Sequence, residues 1–166
     1  MEAMKLIQEG LSLLREEYPE CNPLAPGFLK EVTLANLLGH KVETAKHLCD
    51  AYDKDGYELE YLTCQEDGVN KKGKKLPRGF AIDCVFSSPA ELKKGSLERI
   101  TRNEKIYYGI FKEGTLECIE LWVGCPKALE KFVDESVTRR GKNGKNTEHT
   151  VGISKKWARE NCEKII

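Results

Sequence analysis

The sequence predicts an α+β or mixed α/β fold, a central mixed β-sheet flanked by helices. Three observations carry this. Helical periodicity in the first 38 residues gives way to strict alternation from residue 57 onward. One helical pattern then crosses between strands, and another follows them. The connections are too long for a simple meander.

Taken in order, Ala3, Ile7, Leu11, Leu14 and Tyr18 fall on one stripe, widened by Leu6 and Leu13, which predicts a helix over 2–18. "CNPLAPG" breaks the chain. Leu29, Val32, Leu37 and Leu38 predict a second helix over 27–38, with Gly39 as its stop. "YELEYLTC" alternates and is rich in aromatic residues, so it reads as a strand, and the basic segment 70–78 after it reads as a loop. "GFAIDCVFS" is a second strand and "PAELKKGSLERITR" a helix weakened by its glycine. "KIYYGIF" and "TLECIELWV" form a hairpin through "KEG". "PKALEKFVDESVTR" is an amphipathic helix with Pro126 early, where proline is tolerated. Ser154 is placed to cap a last short helix through Trp157, and "EKII" ends the chain.

A length of 166 residues suits one domain spanning 1–166, with 1–38 helical and the rest the core. Hydrophobic residues make up 40% and charged residues 33%, enough to bury a real core. No apolar run approaches the roughly 20 residues of a membrane span. The N-terminus carries acids among its apolar residues, unlike a secretory signal. Seven cysteines, an odd number with no C-x-x-C, argue against a disulfide framework and for a reducing cytoplasm. His47 and Cys49 lie close together but lack zinc-ligand spacing.

Net charge is zero, so its distribution matters more than its sum. Residues 1–20 are acidic, whereas "KKGKKLPR" (71–78) and "RRGKNGK" (139–145) are wholly basic. One cationic face is the expectation, and solvated loops are the plain alternative.

The segment "LCDAYDKDGYELEYLTC" carries the chemistry. On a strand, Glu58, Glu60 and Leu62 share one face and Tyr57, Leu59 and Tyr61 the other. The apolar set should face the core and the acidic set a cleft or solvent. Asp50 precedes the turn "DKDG", which can fold it back beside Glu60. Two such carboxylates repel unless a cation lies between them. Mg²⁺ suits them, completing its shell with water and substrate phosphate. There it can activate a water for in-line attack on a phosphodiester. An Asp and a Glu ten residues apart also occur on plain surface hairpins.

"CDAYDKDGYELEYLTC" resembles the metal-site hairpin of PvuII-like type II restriction endonucleases of the PD-(D/E)XK superfamily. "RGFAIDCVFSSP", "LKKGSLERIT", "KIYYGIFKEGTLECIELWV", "CPKALEKF" and "EKII" follow in the same order, so the resemblance covers roughly residues 27–166. It implies a restriction-endonuclease-like fold and a homodimer that cuts double-stranded DNA at a short palindrome with Mg²⁺, with Mn²⁺ as a substitute. It implies a bacterial or archaeal cytoplasm and a cognate DNA methyltransferase as partner in the system. Asp50 and Glu60 match the family's metal-binding acids, and residues 2–18 become a dimer-interface candidate. Leu62 stands where the family usually has its catalytic lysine. Leucine can neither hold water nor stabilise charge, so an impaired enzyme is expected. The alternative is that Lys74 or Lys75 supplies the cation.

The resemblance also sends two segments toward the major groove. One offers Ser87 and Ser88; the other offers Asn146, Glu148 and His149. Lys71, Lys72, Lys74, Lys75, Arg139, Arg140, Lys142 and Lys145 are phosphate-contact candidates. Two other functions remain open: a DNA-binding relative that has lost cleavage, for which Leu62 speaks, and an interaction domain without nucleic acid, for which only the zero net charge speaks.

Overall fold

The computed structural model describes residues 2–25, 27–45, 49–85, 97–141 and 148–166. The N-terminal stripe winds into α1 (Glu2–Glu17), none of whose residues is buried. Met4, Leu6, Ile7 and Leu13 face outward. Only the end of the stripe finds a core, where Leu14 packs against Tyr18, Phe28 and Val32. α2 (Phe28–Leu38) stops at Gly39, whose left-handed φ of 68° lets its N–H reach back to carbonyls of the last turn. These two helices lie within a residue or two of their predicted bounds.

The strand "ELEYLTCQ" is β3 (Glu58–Gln65), and it sits in the middle of a sheet. β1 (Lys41–Val42) and β2 (Ala51–Tyr52) extend the sheet on one side. β7 (Lys105–Phe111), β8 (Cys118–Gly124) and β10 (Glu163–Lys164) extend it on the other, giving the order β1-β2-β3-β7-β8-β10. β3 and β7 run parallel, in register from Leu59↔Lys105 to Gln65↔Phe111, whereas the other pairs are antiparallel. A parallel pair needs a long crossover. It carries the small hairpin of β4 (Gly68–Val69) and β5 (Lys75–Leu76), then β6 (Phe80–Val85) and the helical residues 97–101, here α3. α4 (Pro126–Gly141) and α5 (Lys155–Asn161) lie either side of β9 (Glu148–Ile153), which pairs with β6 in a separate ribbon. Ser154 caps α5 as expected, its hydroxyl accepting the Trp157 N–H at 3.1 Å.

A central strand is covered on both faces. Leu59 and Tyr61 pack against Leu34 and Ala35 of α2. Leu62 and Cys64 pack on the other face with Phe80, Ile82, Tyr108, Leu129 and Val151, beneath the β6/β9 ribbon. The expectation of one core face and one open acidic face is therefore corrected. Tyr57, assigned to the core set, lies before the strand and is 55% exposed. Segment 70–78 is a hairpin end rather than a loop. Asn70 Oδ1 accepts the N–H groups of Lys72 and Lys74, and Gly73 takes φ 73° to close the turn. β9 and the short strands at 41–42 and 51–52 had no strand signal of their own. Among the described residues, no helix is long and apolar enough to cross a membrane.

Candidate active site

The turn "DKDG" folds β2 onto β3. Asp53 Oδ1 accepts the N–H groups of Asp55 and Tyr57, and Gly56 takes φ 84°. With Ala51 opposite Leu59, the next step of the register brings Asp50 to Glu60. The Asp50 N–H donates to the Leu59 carbonyl at 3.0 Å. Asp50 Oδ2 accepts the Tyr61 N–H at 2.7 Å, which fixes the carboxylate on the Glu60 side.

Asp50, Glu60 and Leu62 line one cavity of about 310 Å³, together with Glu31 of α2, Arg99 of α3, Tyr61, Thr63, Ala81, Ile82 and Ile100. The two predicted acids are thus brought together. Two charged groups that sequence reasoning missed stand with them. Gly27, at φ 94°, leaves room for Glu31: a Cβ there would come within 2.8 Å of Oε1. Arg99 Nη2 donates to Glu60 Oε1 at 2.9 Å. Glu60 is only 4% exposed, and its other oxygen, Oε2, has no hydrogen-bond partner among the described residues.

Burying three carboxylates beside one guanidinium favours protonation. Burial, then the charge of Asp50, pushes Glu60 up to about 8 against the pull of Arg99. Burial, again followed by Asp50, pushes Glu31 to about 7. Burial raises Asp50 as well, opposed by the Tyr61 N–H and Arg99. Acids whose ionised forms are disfavoured in this way are ones that a bound cation would stabilise.

The donor set suits Mg²⁺ by its chemistry. Glu60 Oε2 is a buried hard oxygen left unbonded, and Asp50 is held alongside by its other oxygen. Among the described residues, no three His, Cys, Asp or Glu groups stand close enough to hold an ion alone. Mg²⁺ asks for less, one or two carboxylates with water and phosphate for the rest.

A larger cavity, about 730 Å³, lies between β6, the start of α5 and β8. Most of its charges already have partners: Lys155 with Asp67 at 2.7 Å and Arg159 with Glu120 at 2.6 Å within it, and Arg78 with Glu113 beside it. The acidic cavity has no such balance, so it is the better site.

Leu62 is 5% exposed and belongs to the apolar core as well as to the cavity wall. Lys74 and Lys75 are exposed on the β4–β5 hairpin and do not line the cavity, so neither is the site's cation. Among the described residues, Arg99 is the cationic side chain that lines it. Lys71 and Lys72 are exposed on the same hairpin. Arg139 and Arg140 belong to α4 rather than to a loop, and Glu148 and His149 to β9, opposite Val85 and Cys84; the side chains of these four are not described. Ser87, Ser88, Lys142, Lys145 and Asn146 lie outside the described residues. No signal local to the sequence marks Glu31 or Arg99, because each reaches the site through packing of a helix against the sheet. Neither a family model nor a curated protein matches the chain.

Proposed function

We propose that this chain is a restriction-endonuclease-like protein of the PD-(D/E)XK type, built to hydrolyse phosphodiester bonds of double-stranded DNA with Mg²⁺ and impaired by Leu62. The observation that carries this reading is the pair Asp50 and Glu60 at one cavity, with a buried oxygen of Glu60 unbonded among the described residues. The mixed sheet with the acids on a central strand and its hairpin neighbour agrees with the resemblance stated for the hairpin.

Asp50 and Glu60 would hold the ion, with Glu31 at its edge. When bound there, Mg²⁺ supplies Lewis-acid polarisation of the phosphodiester and lowers the pKa of a water. The chain's own part is to hold the carboxylates in place. Tyr61 N–H orients Asp50, and Arg99 orients Glu60. The β4–β5 lysines offer an exposed cationic edge for phosphates.

Burial of Leu62 in the apolar core favours a second reading, a DNA-binding relative that keeps the scaffold without cutting. Incubation of mixed-sequence DNA with the protein and Mg²⁺ or Mn²⁺ separates the two. Discrete fragments support the endonuclease. A sequence-specific mobility shift without fragments supports the binding relative. Neither shift nor fragments contradicts both.

A further inference from the structure

Leu62 leaves the acidic cavity without the cation a phosphodiester needs, and the fold brings one from elsewhere. Arg99 reaches the same cavity from α3, with Nη2 2.9 Å from Glu60 Oε1. Its side chain is 55% exposed and that of Glu60 6% exposed, so the guanidinium runs from a buried carboxylate out to solvent. A phosphate on the rim of a duplex can meet it there without entering the cavity.

The end of α3 is fastened to β3, which fixes where Arg99 stands. Arg102 Nε lies 3.3 Å from Glu58 Oε2, and the Glu104 N–H donates to the Glu58 carbonyl at 2.8 Å. Asn103 Nδ2 donates to the Arg99 carbonyl at 2.7 Å, closing the helix end. Ile100 anchors the turn in the core. A guanidinium held this way is preorganised, and its planar fork of five N–H donors matches phosphate oxygens. It is also the only cationic side chain among the described residues lining the cavity, against three carboxylates.

We propose that Arg99 is the phosphate-binding cation of this site. The proposal rests on the reading of the cavity as a nuclease site. A purely structural Arg99 would only neutralise Glu60.

Salt dependence of DNA binding separates these roles. Binding of a mixed-sequence DNA duplex to the full chain is measured from low to moderate salt. The slope of log affinity against log salt counts neutralised phosphates at about 0.9 each on B-DNA. Arg99→Gln should reduce the slope by about one contact, roughly 0.9. Arg99→Lys should keep the parent slope. Lys112→Gln, which removes an exposed charge paired with Glu117 outside the cavity, should leave the slope unchanged. Leu62→Lys combined with Arg99→Gln should regain it, and this pair also keeps a cation beside Glu60 if Arg99→Gln alone loses its cooperative melt. A parent that binds DNA with an unchanged slope in Arg99→Gln, or an equal loss in Lys112→Gln, overturns the role of Arg99 and leaves the nuclease reading standing. A parent that binds no DNA overturns both.

Discussion

Glu60 has one oxygen held by Arg99 and the other buried without a partner among the described residues. Its folded-state pKa of about 8, and that of Glu31 near 7, lie above the ordinary 4.5. Between those values the folded protein keeps protons that the unfolded chain releases. Stability therefore falls as pH rises from about 4.5 to about 8. Thermal melts across that range should show the decline, and Glu60→Gln should flatten it and raise Tm at pH 8. Mg²⁺ binds the ionised form, so at a fixed concentration it should raise Tm more at pH 8 than at pH 5. Asp50→Asn should abolish that gain. A gain equal at both values, or retained in Asp50→Asn, would remove the metal from this site. Leu62 is a residue of the opposite kind, a core side chain forming part of a polar wall. Leu62→Ala should cost about 2–5 kcal/mol by denaturant titration, as for other buried leucines.

At the scale of elements, the hairpin from β2 to β3 was legible because its signals are local. Alternation, the "DKDG" turn and a glycine at positive φ all lie within one stretch of sequence, so the approach of Asp50 to Glu60 could be read directly. What the alternation could not say was that β3 is central. Strands pair along both its edges while α2 and the β6/β9 ribbon cover its two faces, and only tertiary packing reveals it. Glu31 and Arg99 escaped for the same reason, since their helices arrive by packing and Arg99 lies 39 residues from Glu60. Two elements that frame the site have simple tests. A Cβ on Gly109 of β7 would stand 3.0 Å from Leu34 Cδ1, so Gly109→Ala pushes on the helix that carries Glu31. It should cost about 1–3 kcal/mol in a denaturant titration. Ser154→Ala removes the α5 cap and should cost about 0.5–2 kcal/mol by the same measurement.

Over the whole molecule, zero net charge conceals a polarised surface, with lysines gathered on the β4–β5 hairpin and acids gathered in the site. Replacing Lys71, Lys72, Lys74 and Lys75 together by Gln should weaken DNA binding and flatten its salt dependence. α1, the dimer-interface candidate implied by the resemblance, presents Met4, Ile7 and Leu13 to the outside. Met4→Glu with Ile7→Glu should then leave a folded monomer in sedimentation, and an unchanged sedimentation coefficient would take α1 out of the interface. The proposed function makes the chain a nuclease scaffold held back at one position. Mg²⁺-dependent cleavage of mixed-sequence DNA by the parent and by Leu62→Lys, side by side, tests this. Leu62→Lys should give discrete fragments at a rate on the order of 10²-fold or more above the parent. Equal cleavage by the two, or none from a Leu62→Lys protein that melts cooperatively, would contradict it.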